Sequence, residues 1–255
     1  YTANEGSPIT FNAGGSSDAD GDALQYRWDF NNDGTWDAQY SSDPKIAHTW
    51  SDDYTGTVKL EVSDGVNSST ATASVKVLNV VPQVEAGSNQ NVILGRSISF
   101  KGSKTDPGTL DTHTYSWNFG DGSGPVTGTL TPTHTYTKTG TFTVTLTIKD
   151  NNGGVGTDTM TVTVLTPQQY TNTINNNVQN LPNAAFVKKA DQSKKTLSNM
   201  FMSLNHIIDA KAYKGAILRL EQIKTNINSI IKDPAAKTEL NGMVDNLSMT
   251  LKTLI

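Results

Sequence analysis

Apolar residues recur with period two through residues 1–166 and with a helical period after them. Ile9 and Phe11 open the first alternating run. Tyr26, Trp28 and Phe30 then alternate with Arg27 and Asp29, giving one aromatic face and one charged face. Val58, Leu60 and Val62 alternate with Lys59, Glu61 and Ser63, and Ala71, Ala73, Val75 and Val77 close the series. Asp64-Gly65 and similar pairs punctuate the runs as turns. Short strands at this spacing predict a β-sandwich.

The same order then repeats. Ile98 and Phe100 match Ile9 and Phe11, Trp117 matches Trp28, and His134-Thr135-Tyr136 matches His48-Thr49-Trp50. Val144, Leu146 and Ile148 match Val58, Leu60 and Val62, Asp150 matches Asp64, and Met160, Val162 and Val164 close the copy. A repeat this complete predicts two all-β Ig-like sandwiches, over residues 1–79 and 80–166. Repeat 1 lacks a counterpart of the opening segment Val81–Gly87. It also carries Tyr54 and Gly56 where repeat 2 has Gly140 and Phe142, so that turn is expected to differ.

Residues 167–180 are rich in Asn, Gln and Thr and read as a linker or a weakly signalled helix. From Leu181 the period changes. Phe186, Leu197, Met200, Phe201, Leu204 and Ile208 follow helical spacing, as do Ala216, Leu220, Ile223 and Ile227, then Leu240, Val244, Leu247 and Leu251. Asp233-Pro234 fits the cap and first position of the last of these helices. An all-α three-helix bundle over residues 181–255 is predicted.

Composition narrows the class. The formal net charge is −4 and no basic stripe is present, which argues against nucleic acid. No apolar run reaches the roughly 18 residues of a membrane span. Cysteine is absent, which removes disulfides, zinc–thiolate sites and cysteine nucleophiles. Tyr1 is an unusual start, and the chain reads as a mature or excised piece of something longer.

Four stretches carry a family likeness: Gly15–Asp22 (GSSDADGD), Tyr26–Phe30 (YRWDF), Trp117–Gly122 (WNFGDG) and His134–Asp150 (HTYTKTGTFTVTLTIKD). Both repeats resemble PKD domains, the Ig-like modules of archaeal and bacterial surfaces. The helical part resembles, more loosely, small C-terminal domains of secreted prokaryotic proteins. The likeness implies an extracellular or cell-surface protein of archaeal style.

Candidate chemistry is acidic. Asp18, Asp20 and Asp22 crowd one loop, where like charges repel unless a cation sits among them. In a sandwich that loop shares an end with Asp64, so Asp18, Asp20 and Asp64 form a candidate calcium site, with a solvated acidic turn as the alternative. Calcium-binding PKD domains resemble this arrangement. Repeat 2 breaks the Asp-x-Asp pair and displaces Asp111, leaving a weaker candidate at Asp106 and Asp150. Asp29, Asn31, Asp33 and Asp37 space oxygen ligands as in the first half of an EF-hand loop, but Tyr40 replaces the closing glutamate. The alternative there is an Asx-type turn. Asn67 and Asn246 head glycosylation sequons.

No His-Glu-x-x-His, Gly-x-Ser-x-Gly or phosphate-cradling loop is present, and no enzyme is predicted. His48 and His134 occupy equivalent places, which favours a role in the fold. Trp36, Tyr40, Trp50 and Tyr54 are either packing residues or a sugar-stacking face. The expected function is a structural or adhesive segment of a surface layer, sheath or filament. Its expected partners are other surface proteins, copies of itself, or polysaccharide. The alternative is an accessory, polymer-binding or spacer segment of a secreted hydrolase.

Overall fold

A computed structural model describes all 255 residues. The first sandwich contains β1 (Thr2–Asn4), β2 (Pro8–Asn12), β3 (Gln25–Asp29), β4 (Lys45–Thr49), β5 (Tyr54–Ser63) and β6 (Ser68–Leu78). One sheet runs β1-β6-β5-β3, and β2 pairs with β4 in the other. The second sandwich contains β7 (Gln83–Glu85), β8 (Gln90–Ile93), β9 (Ser97–Ser99), β10 (Ser103–Thr105), β11 (His113–Asn118), β12 (Val126–Thr127), β13 (Thr133–Thr135), β14 (Gly140–Asp150) and β15 (Val155–Leu165). Its large sheet runs β12-β11-β14-β15-β8, opposite the pairs β13-β9 and β10-β7.

The two sandwiches share one wiring. β1 lies parallel to β6 as β8 lies parallel to β15. Trp28 pairs with Leu60 across β3–β5, and Trp117 pairs with Leu146 across β11–β14. Phe11 meets Trp28 at 5.5 Å and Phe100 meets Trp117 at 5.4 Å between ring centroids. Both tryptophans are buried, each side chain of this kind contributing about 1.5–3 kcal/mol or more. β7 has no counterpart in the first sandwich, in keeping with the opening segment missing from that repeat.

The helical region differs from expectation in two respects: it has one more helix, and Phe186, read at helical spacing, lies in the non-helical stretch before Ala190, where it bridges to Ile231. Residues 167–180 are α1 (Pro167–Asn180), and a 3-10 turn at Asn183–Ala185 leads on to α2 (Ala190–Asp209), α3 (Tyr213–Ile230) and α4 (Pro234–Lys252). The bundle therefore has four helices, and the expected linker is one of them. Thr166 caps α1 in a reciprocal box with Gln169, Pro167 sits in its first turn, and Tyr170, Ile174 and Val178 enter the core. Contacts run α1–α2–α3–α4 and back to α1, which closes the ring. Asp233 caps α4 through Ala236 N–H, as its sequence suggests.

No flexible joint separates the bundle from the second sandwich. Thr166 alone lies between β15 and α1, and Ile93 of β8 is a member of the bundle core.

Candidate functional site

His48 and His134 pack at equivalent places in the two sandwiches. His48 stacks on Phe30 at 4.0 Å and stands edge-on to Trp50. His134 stacks on Phe119 at 4.0 Å and stands edge-on to Tyr136. His134 Nε2 lies 2.7 Å from Asp121 Oδ2. Burial alone would raise Asp121, but hydrogen bonds from Ser123 and His134 outweigh it and hold the carboxyl down at about 2. Burial pushes the Tyr136 phenol up to about 12, and its hydroxyl donates to Phe119 C=O.

In the first sandwich Asp18 and Asp64 line one concavity with Leu24, Leu60 and Val62, as expected for loops at a common end. Their oxygens serve their own turns. Asp18 Oδ1 accepts from the amides of Asp20 and Asp22, and Asp64 Oδ1 accepts from those of Val66 and Asn67. Those backbone bonds, Asn67 first and then Val66, hold Asp64 below its usual value. Asp20 is exposed, and the ligand atoms of Asp18, Asp20 and Asp64 do not gather within 4.8 Å of one another.

Asp29 is fully buried. Its oxygens accept from Asn31, Asp33 and Gly34 amides, and Asn31 Nδ2 donates to Asp33 Oδ2 at 2.9 Å. Asp37 Oδ2 accepts from Phe30 N–H at 2.7 Å. The loop thus takes the Asx-turn form. The Thr35 amide, with help from Asn31, lowers Asp33.

The acidic ligand atoms that do converge belong to Glu5, Asp106 and Asp111, all within 4.8 Å of one another. They lie where the two sandwiches meet. Glu5 sits in the turn after β1 and is only 1 % exposed. Its Oε1 accepts the Val80 amide at 2.6 Å, pinning the inter-sandwich segment. Asp106 accepts from Gly108 N–H and from His113 Nε2, the latter at 2.7 Å. Gly108 makes the close approach possible: a Cβ there would stand 2.8 Å from Glu5 Oε2 and overlap Asp111 Oδ2. Burial raises the Glu5 carboxyl; the Val80 amide opposes this, and Asp111, Asp106 and Asp52 add to it. Asp111 is raised by burial first and then by Asp106, Asp52 and Asp150. Asp150 is buried nearby but turns to Asn79 Nδ2 and to the amides of Asn152 and Gly154. Those three bonds outweigh burial and lower it. The junction is further tied by Leu110 N–H to Ser51 C=O and by Asn152 to Asp53. Glu5 and Asn79 were not legible as site residues, because each acts on the neighbouring repeat.

Residues 1–77 and residues 79–164 each match the PKD domain family. The chain belongs to the PKD-domain family. No curated protein gives a match. Among solved structures it is similar to the PKD1 domain of Vibrio anguillarum Epp, at 29% identity, covering 35% of this chain and 100% of that one with a TM-score of 0.29. It is also similar to the PKD1 domain of the Vibrio cholerae metalloprotease PrtV, at 30% identity, covering 34% and 100% with a TM-score of 0.27. PKD domains are non-catalytic modules typical of extracellular bacterial proteins. No helix of this chain is long and apolar enough to cross a membrane.

The aromatic residues of the first PKD domain divide into two sets. Trp50 and Tyr54 pack inward, stacked on each other at 5.6 Å with Trp50 edge-on to Phe11 and Phe30. Trp36 and Tyr40 lie on the solvent side against the Arg27 guanidinium, at 4.3 and 4.6 Å, with Arg27 and Tyr40 both bound to Glu61. Asn67 is exposed on the turn between β5 and β6. Asn246 lies within α4, where the Ser248 of its sequon is buried.

Proposed function

We propose that the chain is a non-catalytic structural or adhesive segment of an extracellular protein, working as a semi-rigid spacer in a cell-surface, sheath, filament or surface-layer assembly of archaeal type. Its partners are other surface proteins or further copies of itself. The observation that supports this reading is the continuity of the three domains. Residues 79–82 alone join the PKD domains, and Glu5 holds that segment through Val80. One residue joins the second PKD domain to the bundle, whose core includes Ile93 from the sheet. Domains joined this closely hold their ends at a fixed separation, which a spacer requires and a flexible tether does not provide. Small-angle scattering of the full chain tests it. One fixed arrangement of three domains is expected; a curve that requires independently tumbling domains rejects the reading.

The acidic loops of the first PKD domain, Asp18–Asp20–Asp64 and Asp29–Asp37, are proposed as calcium-responsive turns. Extracellular modules work at about 10⁻⁴ to 10⁻³ M calcium. A melting temperature of the first domain that is the same in millimolar calcium and in chelator counts against both loops.

A second reading rests on the Arg27–Trp36–Tyr40 cluster at the domain surface, where Tyr40 is exposed and Trp36 half-buried. It makes the chain an accessory, polymer-binding segment of a secreted hydrolase. Retention on insoluble chitin, cellulose or collagen that is lost in Trp36→Ala favours this reading over the spacer.

A further inference from the structure

We propose that the open flank of the first PKD domain is an acceptor groove for an extended strand from another protein of the assembly, seated as β7 is seated in the second domain. In the second domain β7 pairs with β10 and lies against β14 and β15. Its Val84 packs on the core, Ala86 is 1 % exposed, and Leu146 and Ile148 of that core are fully buried. Leu60 and Val62 are their counterparts, since Leu60 faces Trp28 as Leu146 faces Trp117. Yet Leu60 and Val62 are only half-buried, and with Leu24 and Ala71 they line an open concavity of about 380 Å³. Gly14–Ser16 lies as far past Phe11 as β10 lies past Phe100, but it forms a turn. The Gly15 N–H and the carbonyls of Gly14 and Gly15 bond no backbone group. Apolar surface beside unpaired backbone is what an added strand binds, through main-chain hydrogen bonds and pockets for alternate side chains.

The second domain also defines the chemistry of the occupant. Ahead of β7, Asn79 Nδ2 donates to Asp150 Oδ2 at 3.0 Å. Asp64, the counterpart of Asp150, lines the concavity with Asp18, and neither has a lysine or arginine partner. The incoming strand therefore carries a donor or cationic side chain, and then small apolar side chains at two alternate positions, as Val84 and Ala86 are placed. Two positions tune the fit. Pro82 C=O and Val84 lie over Gly156, where any Cβ would overlap the carbonyl, and Ser69 stands at that place in the first domain. Asp158 accepts the Ala86 amide at 2.7 Å, and Ala71 stands in its place. The groove deepens the assembly reading, and rests on it for the source of the strand.

The test follows the amides of Gly15, Leu60 and Val62 by NMR while a synthetic peptide with the sequence of residues 79–87 is titrated into the full chain. All three are expected to shift and saturate. The same peptide carrying Val84→Asp is expected to bind about tenfold or more weakly, because it loses the buried apolar side chain. In the chain, Ser69→Gly is expected to tighten binding, and Ala71→Trp, at an exposed position, to abolish it without lowering the melting temperature. A gain in one variant and a loss in the other cannot both come from misfolding. Equal binding of the two peptides, no response at these amides, or shifts confined to Leu146 and Ile148 would overturn the groove. So would a strand of this sequence that raises the melting temperature when fused ahead of Tyr1 while the free peptide fails to bind, since the groove would then be filled only from within one chain. Scattering reads the spacer separately: peptide binding by a chain whose domains tumble independently rejects the spacer and leaves the groove standing, and a rigid chain that binds no peptide does the reverse.

Discussion

The Tyr54 ring lies over the Cα of Gly56, two residues along on the same face of β5. A Cβ at Gly56 would overlap that ring. In the second PKD domain the arrangement is reversed. Phe142 lies over Gly140, with a hypothetical Gly140 Cβ 3.6 Å from its ring, and stacks on Tyr136 at 4.7 Å. Tyr54 stacks on Trp50 in the same way. The slot facing the aromatic of each His-Thr-aromatic motif is thus filled in both domains, from opposite members of an i, i+2 pair. The substitutions at this turn are one compensated exchange.

Gly56→Ala is therefore expected to destabilise the first PKD domain by about 1–3 kcal/mol, the usual cost of overpacking. The exchanged pair Tyr54→Gly with Gly56→Phe is expected to recover most of that loss, because it copies the second domain. Denaturant unfolding followed by tryptophan fluorescence measures both. A double variant no better than the single one would show that the ring does not reach Trp50 from position 56.

The Asp121–His134 contact sets an acid response. Asp121 is held at about 2 in the folded chain against an ordinary 3.8. Its pKa is depressed on folding, so its contribution is fully present above about pH 4 and is lost as pH falls through 3.8 towards 2. The side chain is 15 % exposed, and the shift corresponds to about 2 kcal/mol. Asp121→Asn keeps the turn's carbonyl acceptor but cannot titrate. The parent's second domain is expected to lose its advantage over this variant between about pH 4 and pH 2. Parallel melting curves for the two proteins across that window would remove Asp121 as the cause.

The first helix of the bundle makes a sharper test of architecture. Ile174 is fully buried, and Ile174→Ala is expected to cost the bundle about 2–5 kcal/mol. A residue in a solvated linker would change stability by less than about 0.5 kcal/mol. Far-ultraviolet circular dichroism during thermal unfolding distinguishes the two.

That helix also shows where sequence reading stops. The sandwiches were legible because aromatic and β-branched residues alternate in register with turns, and because Trp28 and Trp117 repeat one environment. α1 was obscured by its Asn, Gln and Thr surface. Its three buried apolar positions, Tyr170, Ile174 and Val178, do fall four residues apart, and Thr166-Pro167-Gln168-Gln169 is a capping box with proline. The acidic junction was less legible for a different reason. Asp106 and Asp150 stood out within repeat 2, whereas Glu5 lies in the other repeat. Asp111 read as displaced from an Asp-x-Asp pair because nothing in one repeat shows what faces it.

Val92 and Ile93 assign the two faces of β8 to different domains. Side chains alternate across a strand, so neighbours point in opposite directions. Val92 pairs with Val164 and belongs to the core of the second PKD domain; Ile93 pairs with Leu165 and belongs to the bundle core. Ile93→Ala is expected to lower bundle stability by about 2–5 kcal/mol while leaving the aromatic core of the sandwich intact. Val92→Ala is expected to act first on the sandwich. Hydrogen exchange resolves the two. Ile93→Ala should speed exchange at Ile174, Leu247 and Leu251, and Val92→Ala should speed it at Leu146 and Val162. If each variant instead accelerated both groups equally, the sandwich and bundle would be a single cooperative unit. The strand would then be a shared core element, and the joint would be stiffer than two domains in contact.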